Sequence, residues 1–369
     1  MFFGSVERPP RLSEFELEVP ENLIAQHPSK KRDECKLMIV DKETGDIQHK
    51  KFKDIIDYFN PGDVLVVNNT QVFSARLFAH KDKSDATVEV FLLRELGDDL
   101  WEAMVKPARK VRIGNKLIFN KNISCDVIDN TVSGGRVLRF EYPEPSTKEL
   151  LDEAIAKEVK KKEFYQYVDK YGKSPLPPYI TRDSIPSDKK NYQTVYASER
   201  GSVAAPTAGL HFSDGLIKKI EKKGVKIAYV TLHIGLGTFR PILVEDLTRH
   251  HMDSEHYEVP KETAEVINDA RQKKRKIWTV GTSTVRTLET VVVSGFQITP
   301  KTGWTDKFIY PPYHFKMSDR LITNFHMPKS TLMMMVAAYS SKDIVLNSYK
   351  EAIKKKYNFY SFGDAMLMM

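Results

Sequence analysis

The stretch "IWTVGTSTVRTLETVVV", Ile277 to Val293, holds a fold decision in a single turn. "IWTV" is a short apolar run of strand type, Gly281 breaks it, and "TSTVRTLETVVV" opens a helix. Strand, glycine turn and helix in that order belong to an α/β layer. The alternation continues on both sides. Upstream, "SDGLIKKIEKKG" reads as a helix with Ser213 as N-cap and Gly224 as its stop. Leu216, Ile217 and Ile220 share one side of it; Lys218, Lys219, Lys222 and Lys223 share the other. The strand "VKIAYVTLHIG" and the helix "KETAEVINDARQKKRK" follow, and downstream "STLMMMVAAY" is a further helix whose methionines read as core. Near the N-terminus, "FKDIIDYFNPGD" reads as a helix stopped by Asn60–Pro61–Gly62 ahead of the strand "VLVVNN".

Between Arg76 and Tyr142 the pattern changes. "TVEVFLL" puts Val88, Val90 and Leu92 on one face, and "WEAMV" does the same with Trp101, Ala103 and Val105. "KLIF", "SCDVI" and "RVLRFEY" follow, separated by turn residues and with no helix between them. Strands at this spacing predict a small antiparallel barrel. The fold class expected is therefore α/β: a discontinuous main domain with a mixed sheet, residues 1–75 and 146–369, and an inserted β-barrel domain, residues 76–145. The lysine-rich stretch from Ser146 to Lys173 is helical in pattern and reads as a linker back to the main domain, ending at the proline-rich "SPLPPYI".

Composition bounds the function. The chain has 369 residues, 41% of them hydrophobic, enough for about two cores. No apolar run is long enough to span a membrane and no signal peptide is legible. Cys35 and Cys125 stand far apart, which argues against a disulfide scaffold or a cysteine-built metal site and fits a reducing cytoplasm. A cytoplasmic monomer is expected. The net charge is +8, and basic runs such as "SKKR" and Lys354–Lys356 raise nucleic acid as a partner.

Four loops carry the candidate chemistry. They are "GSVAAPTAGLHF" with Thr207 and His211, "LHIGLGTFRP" with His233, Gly235, Gly237, Thr238 and Arg240, "GTSTVRTLE" with Thr282, Ser283 and Arg286, and "ITNFHMPKSTL" with Asn324, His326, Lys329 and Ser330. Ligands of open α/β sheets gather at the carboxyl ends of strands, and helix N-termini offer unpaired N–H groups to anions. Taken singly, each loop is better read as an ordinary capped turn. The two glycines of "HIGLG" do not complete a dinucleotide fingerprint, because Arg240 stands where the third glycine belongs. "RHHMDSEH" is read as a polar surface loop rather than a metal site, since its spacing matches no helical ligand pair. His211, His233 and His326 are proton-transfer candidates, and Arg240 and Arg286 could clamp a carboxylate. No Ser/His/Asp order or paired carboxylates suggest a hydrolase.

"LIAQHPSKKRDECKLMIVD", "GDVLVVNNTQVFSARL", "VAAPTAGLHF", "TLHIGLGTFRP", "VGTSTVRTLE", "GWTDKFIYPPYHFK", "LITNFHMPKSTLMMMV" and the final "FGDAML" resemble, in order and over essentially the whole chain, the S-adenosylmethionine:tRNA ribosyltransferase-isomerases of queuosine synthesis. The resemblance implies S-adenosylmethionine as ribosyl donor and no metal. It implies 7-aminomethyl-7-deazaguanine (preQ1) at the wobble position of tRNA as acceptor, recognised in the anticodon arm. It also implies epoxyqueuosine, adenine and methionine as products. Asn69 and Arg76 join the binding candidates through the same motifs. The family usually has aspartate where Asn69 stands and proline where Ser74 stands, so no carboxylate can act at position 69. Lys218, Lys219, Lys222 and Lys223 are the expected tRNA contacts. Phe212, Phe239, Tyr313 and Phe325 are candidates to stack on a base. The rival expectation is an S-adenosylmethionine-dependent tRNA methyltransferase.

Overall fold

The computed structural model describes residues 10–142 and 153–369 apart from Lys83, Asp85 and Asp98. In chain order the strands are β1 (Lys36–Val40), β2 (Ile47–Lys51), β3 (Val64–Asn68), β4 (Thr70–Val72), β5 (Arg76–Lys81), β6 (Thr87–Gly97), β7 (Leu100–Lys106), β8 (Lys116–Ile118), β9 (Ser124–Asn130), β10 (Arg136–Glu141), β11 (Glu199–Ser202), β12 (Lys226–Leu232), β13 (Glu255–Val259), β14 (Ile277–Val280), β15 (Val292–Val293), β16 (Gln297–Ile298), β17 (Lys301–Thr305), β18 (Arg320–Asn324) and β19 (Ala365–Met368). The helices are α1 (Glu153–Tyr171), α2 (Asp188–Asn191), α3 (Asp214–Lys222), α4 (Lys261–Gln272), α5 (Thr282–Val291), α6 (Thr331–Tyr339) and α7 (Lys342–Lys354).

One mixed sheet runs β17-β13-β12-β3-β14-β18-β19-β1-β2. β3 lies between β12 and β14, parallel to both, and β14 is parallel to β18. Every residue of β3 and β14 is buried, as strands covered on both faces require. The pleat of β3 divides the core. Val64 and Val66 pack with Ala264 and Ile267 of α4, while Leu65 and Val67 pack with Leu216 and Ile220 of α3. Ser213 caps α3, accepting from the Leu216 N–H at 3.1 Å, and Gly224 closes it at φ +88°. The stretch Phe52–Tyr58 winds as a 3-10 helix rather than the α-helix its pattern suggests.

β5 to β10 close a six-stranded antiparallel barrel filled by Val88, Val90, Leu92, Trp101, Ala103 and other alternating residues. The chain enters it beside the point where it leaves: the backbones of Arg76 and Lys173 pair, at 3.3 and 2.8 Å. The lysine-rich stretch is more than a linker. Ser146–Asp152 lie outside the described residues, but α1 follows, and its Phe164 and Val168 are buried in the barrel's own core cluster.

Candidate functional site

Because β3, β12, β14 and β18 run parallel, their carboxyl ends share one edge of the sheet. Three of the four loops picked out by composition start there, and Gly201–Phe212 packs against them. Gly281 turns β14 into α5 at φ +84°, a conformation a side chain would strain. No side chain caps α5, so the N–H groups of its first turn are left for a ligand. A narrow pocket opens at this point. Thr207, Thr238, Glu255, Thr282, Ser283, Arg286, Asn324, His326 and Ser330 line it, with Ala205–Ala208, Tyr179, Thr323, Tyr360 and Ser361 completing the wall. Ser330 accepts from the Met333 N–H at 3.2 Å and so caps α6 at the pocket edge.

Glu255 organises the floor. It is buried, and its Oε1 accepts from the Gly235 N–H at 2.8 Å and the Thr238 hydroxyl at 3.0 Å. Its Oε2 pairs with Arg286, also buried, which donates further to the carbonyls of Lys307 at 3.1 Å and Thr305 at 3.3 Å. Arg286 therefore meets a carboxylate of the protein itself where the sequence suggested a clamp for a ligand. Glu255 comes from "RHHMDSEH", which runs along the surface as far as Ser254: β13 begins at the glutamate and carries that one residue into the core.

The three histidines occupy three settings. His326 lines the pocket; its Nε2 pairs with the Thr323 hydroxyl at 2.6 Å, and burial pushes its pKa down to about 3. His233 faces a second, larger space. Its Nδ1 pairs with the Thr70 hydroxyl at 2.8 Å, and burial with the neighbouring His256 lowers its pKa to about 4. His211 lies behind the pocket wall. Its Nε2 accepts from the Asn324 amide at 3.2 Å and its Nδ1 lies 3.2 Å from the Cys35 sulfur. Burial, and then the charge of Arg32, lower its pKa to about 3, while burial raises the Cys35 thiol. Asn324 also donates to the Tyr360 carbonyl at 3.1 Å and accepts from Thr207 at 3.2 Å. His211 thus touches the pocket only through Asn324.

The larger space is a cleft of about 1110 Å³ between the barrel and the sheet. Leu93–Leu96, Trp101, Glu102 and Asn130–Ser133 line it from the barrel, Lys161 and Tyr165 from α1, and His233, Gly235, Arg240, Asp253–His256 and Trp304 from the α/β part. Ile234 and Glu255 border both cavities, so the narrow pocket and the cleft share a wall. Gly201 lets the His233 ring lie close: a Cβ there would sit 2.6 Å from His233 Nε2. Gly201→Ala is expected to displace the ring, break its hydrogen bond to Thr70, reduce turnover and lower the unfolding midpoint, by about 1–3 kcal/mol of stability; steady-state rates and a urea titration check it.

Other expected site residues lie elsewhere. Asn69 hydrogen-bonds Ser198 and Thr231 beyond the end of β3, and it is its neighbour Asn68 that is buried, donating to Ser283 at 3.0 Å. Arg76 pairs with Glu89 at 3.2 Å on the barrel. Lys329 pairs with Glu16 at 3.0 Å, and Arg240 with Asp253 at 3.4 Å at the cleft. Gly237 packs against Asp253, whose carboxylate a Cβ would strike. Lys218, Lys219 and Lys222 are exposed on α3, while Lys223 donates to the Ile56 carbonyl at 2.6 Å. The helix ends where Gly224 meets Gly62, at the start of β3 and so at the edge opposite the pocket. Phe212 and Phe325 are fully buried in the core and cannot receive a base; Tyr313 hydrogen-bonds Glu289 at 2.9 Å, and the Phe239 side chain lies outside the described residues. Among the described residues no group of three His, Cys, Asp or Glu side chains is placed to hold a metal ion, and no helix is long and apolar enough to cross a membrane.

The family described as "Queuosine biosynthesis protein" matches residues 12–368. An S-adenosylmethionine:tRNA ribosyltransferase-isomerase of Flavobacterium psychrophilum is 49% identical over 363 residues, covering 97% of this chain and 100% of the relative. One of Staphylococcus aureus is 48% identical over 359 residues, covering 97% and 99%. The crystal structure of an S-adenosylmethionine tRNA ribosyltransferase from Thermotoga maritima is 35% identical, with a TM-score of 0.53, covering 96% of this chain and 100% of that one.

Proposed function

This chain belongs to the queuosine biosynthesis protein family, and on that premise we propose that it transfers and isomerises the ribosyl group of S-adenosylmethionine onto 7-aminomethyl-7-deazaguanine at the wobble position of tRNA, releasing adenine and methionine. One observation carries the assignment of place: a narrow pocket at the strand ends, with a few polar groups converging on it, shares the wall made by Ile234 and Glu255 with a cleft between two domains. The pocket suits the donor and the cleft suits a nucleotide held in RNA. The names of the relatives, all ribosyltransferases, support ribosyl over methyl transfer.

The residues fit a donor that carries a carboxylate, a flat base and polar hydroxyl groups. The uncapped first turn of α5, with Thr282 and Ser283, would hold its carboxylate. The small residues Ala205–Ala208 leave room for a planar base, and Thr207, Asn324 and Ser330 supply polar contacts. The donor brings a sulfonium, which acidifies the adjacent C5′ hydrogen. His326, kept neutral, would take that proton at Nδ1, because Nε2 is engaged with Thr323. His233 on the cleft side would handle protons of the acceptor amine, and His211 would position Asn324. Glu255 and Arg286 hold the junction between the two spaces, with Gly235 and Thr238 fixed on the same carboxylate.

Donor labelled separately in the methyl group and the ribose decides the reaction. Ribose label should enter preQ1-bearing tRNA while methyl label leaves in free methionine; methyl label in RNA would overturn the assignment. Binding to RNA should weaken steeply with salt. Because α3 ends at the far edge of the sheet, the exchange of Lys218, Lys219 and Lys222 for Glu is expected to leave affinity for an anticodon stem-loop nearly unchanged. Arg240→Glu, in the cleft, is expected to lower it. Filter binding at one fixed salt concentration compares the variants.

A further inference from the structure

Trp304 stands out on the cleft wall because it is 54% exposed, in a molecule whose other two tryptophans are buried. It lies on the edge strand β17, directly opposite His256 in register. Its ring meets His256 edge-on, with centroids 5.4 Å apart, and His256 stacks on His233 at 5.7 Å and 19°. From the barrel side, the Arg94 guanidinium reaches to 5.6 Å from the Trp304 ring centre and is itself held by Glu102 at 2.8 Å. A row of three aromatic rings therefore runs along the cleft wall, and its outer member is fixed in place yet open to solvent.

We propose that Trp304 is a stacking platform for an unpaired nucleobase of the RNA loop, the base next to the one that enters the pocket. The proposal rests on the tRNA assignment above and adds where, and by what contact, the loop is gripped. An exposed indole face fixed by a cation–π contact and an edge contact offers a rigid surface that any base can cover. The cations in this cleft are already tied to acids: Arg94 to Glu102, Lys161 to Glu95, Arg200 to Asp169 and Arg240 to Asp253. Their charge is thereby moderated, and stacking on Trp304 adds a grip on the loop that these cations do not supply. Arg94 comes from the barrel and Trp304 from the sheet, so the platform itself is held from both sides of the cleft.

The test uses the full chain and a synthetic anticodon stem-loop carrying preQ1. Trp304→Ala is expected to weaken stem-loop binding by about 5- to 150-fold, the range for losing one stacked base, and to leave the affinity for S-adenosylmethionine unchanged. Trp304→Phe is expected to retain most of the binding. An abasic site beside the modified nucleotide should cost the wild-type protein a similar factor and cost Trp304→Ala nothing further. Equal binding of intact loops by wild type and Trp304→Ala overturns the platform. Should the alanine variant misfold, the abasic loops with wild type and Trp304→Phe decide: abasic loops that bind as tightly as intact ones also overturn it. Failure of the wild-type protein to bind any preQ1 stem-loop rejects the tRNA assignment itself, whereas wild-type activity with an indifferent Trp304→Ala rejects only the platform.

Discussion

Glu255→Gln is expected to destabilise the protein by about 3–5 kcal/mol, because it leaves the Arg286 guanidinium buried without its counter-charge. Arg286→Met is expected to cost a similar amount, stranding the carboxylate instead. The two carboxylate oxygens tie β13 to the Gly235 N–H, to the Thr238 hydroxyl and to Arg286 of α5, and through Arg286 to the carbonyls of Thr305, the last residue of β17, and Lys307. Replacing both partners together by methionine should cost much less than the sum of the single changes, since no lone buried charge remains. Urea unfolding measures all three, provided the slope is constant across variants. Additive single and double effects would mean that the pair is not coupled as its geometry requires. Turnover should fall in every variant, because Glu255 and Arg286 line the pocket as well as stabilise it.

Acidification between pH 7 and 5 is expected to destabilise the fold steeply. His211 and His326 are held at about 3 and His233 at about 4, chiefly by burial. An unfolded histidine takes up a proton below about pH 6.5. In that window the unfolded chain binds more protons than the folded one, so stability is present above pH 6.5 and drains as the pH falls. Each histidine contributes about 1.4 kcal/mol per pH unit once fully below 6.5, and the three together about 4 kcal/mol per pH unit. Urea midpoints at pH 7, 6 and 5 read the effect directly. His326→Asn should remove roughly a third of the slope; a midpoint that does not move with pH would contradict the burial of these rings. The same depression keeps all three imidazoles neutral throughout the neutral range.

The architecture was legible because it rests on local periodicity. The alternation of Val88, Val90 and Leu92 and of Trp101, Ala103 and Val105 is visible residue by residue, and those residues do fill a closed barrel. The caps and stops of α3 and the order of strand, glycine and helix at Gly281 are likewise properties of short segments. Membership of the family followed from long motifs spread over the whole chain.

The site was legible as loops and not as contacts. Thr207, Thr282, Ser283, Asn324, His326 and Ser330 meet in one pocket as parallel strand ends dictate. Pairing across the sheet decided the rest. Asn68 and Asn69 are neighbours in sequence, but β3 ends at Asn68, which is buried, while Asn69 lies past the strand end and turns to Ser198 and Thr231. Glu255 sits in a histidine-rich run that reads as surface until β13 begins at it and brings it to Arg286, 31 positions away. His211 shares its loop with Thr207, yet the 3-10 turn between them sends the imidazole inward to Cys35 and Asn324. Trp304 is one aromatic among many until register sets it opposite His256 on an exposed edge. The sequence by itself determined which segments become strands, helices and ligand loops, since each is decided by neighbours within a few residues. Only the tertiary structure decided which side chains share a cavity, because that depends on strand order and register between segments far apart in the chain.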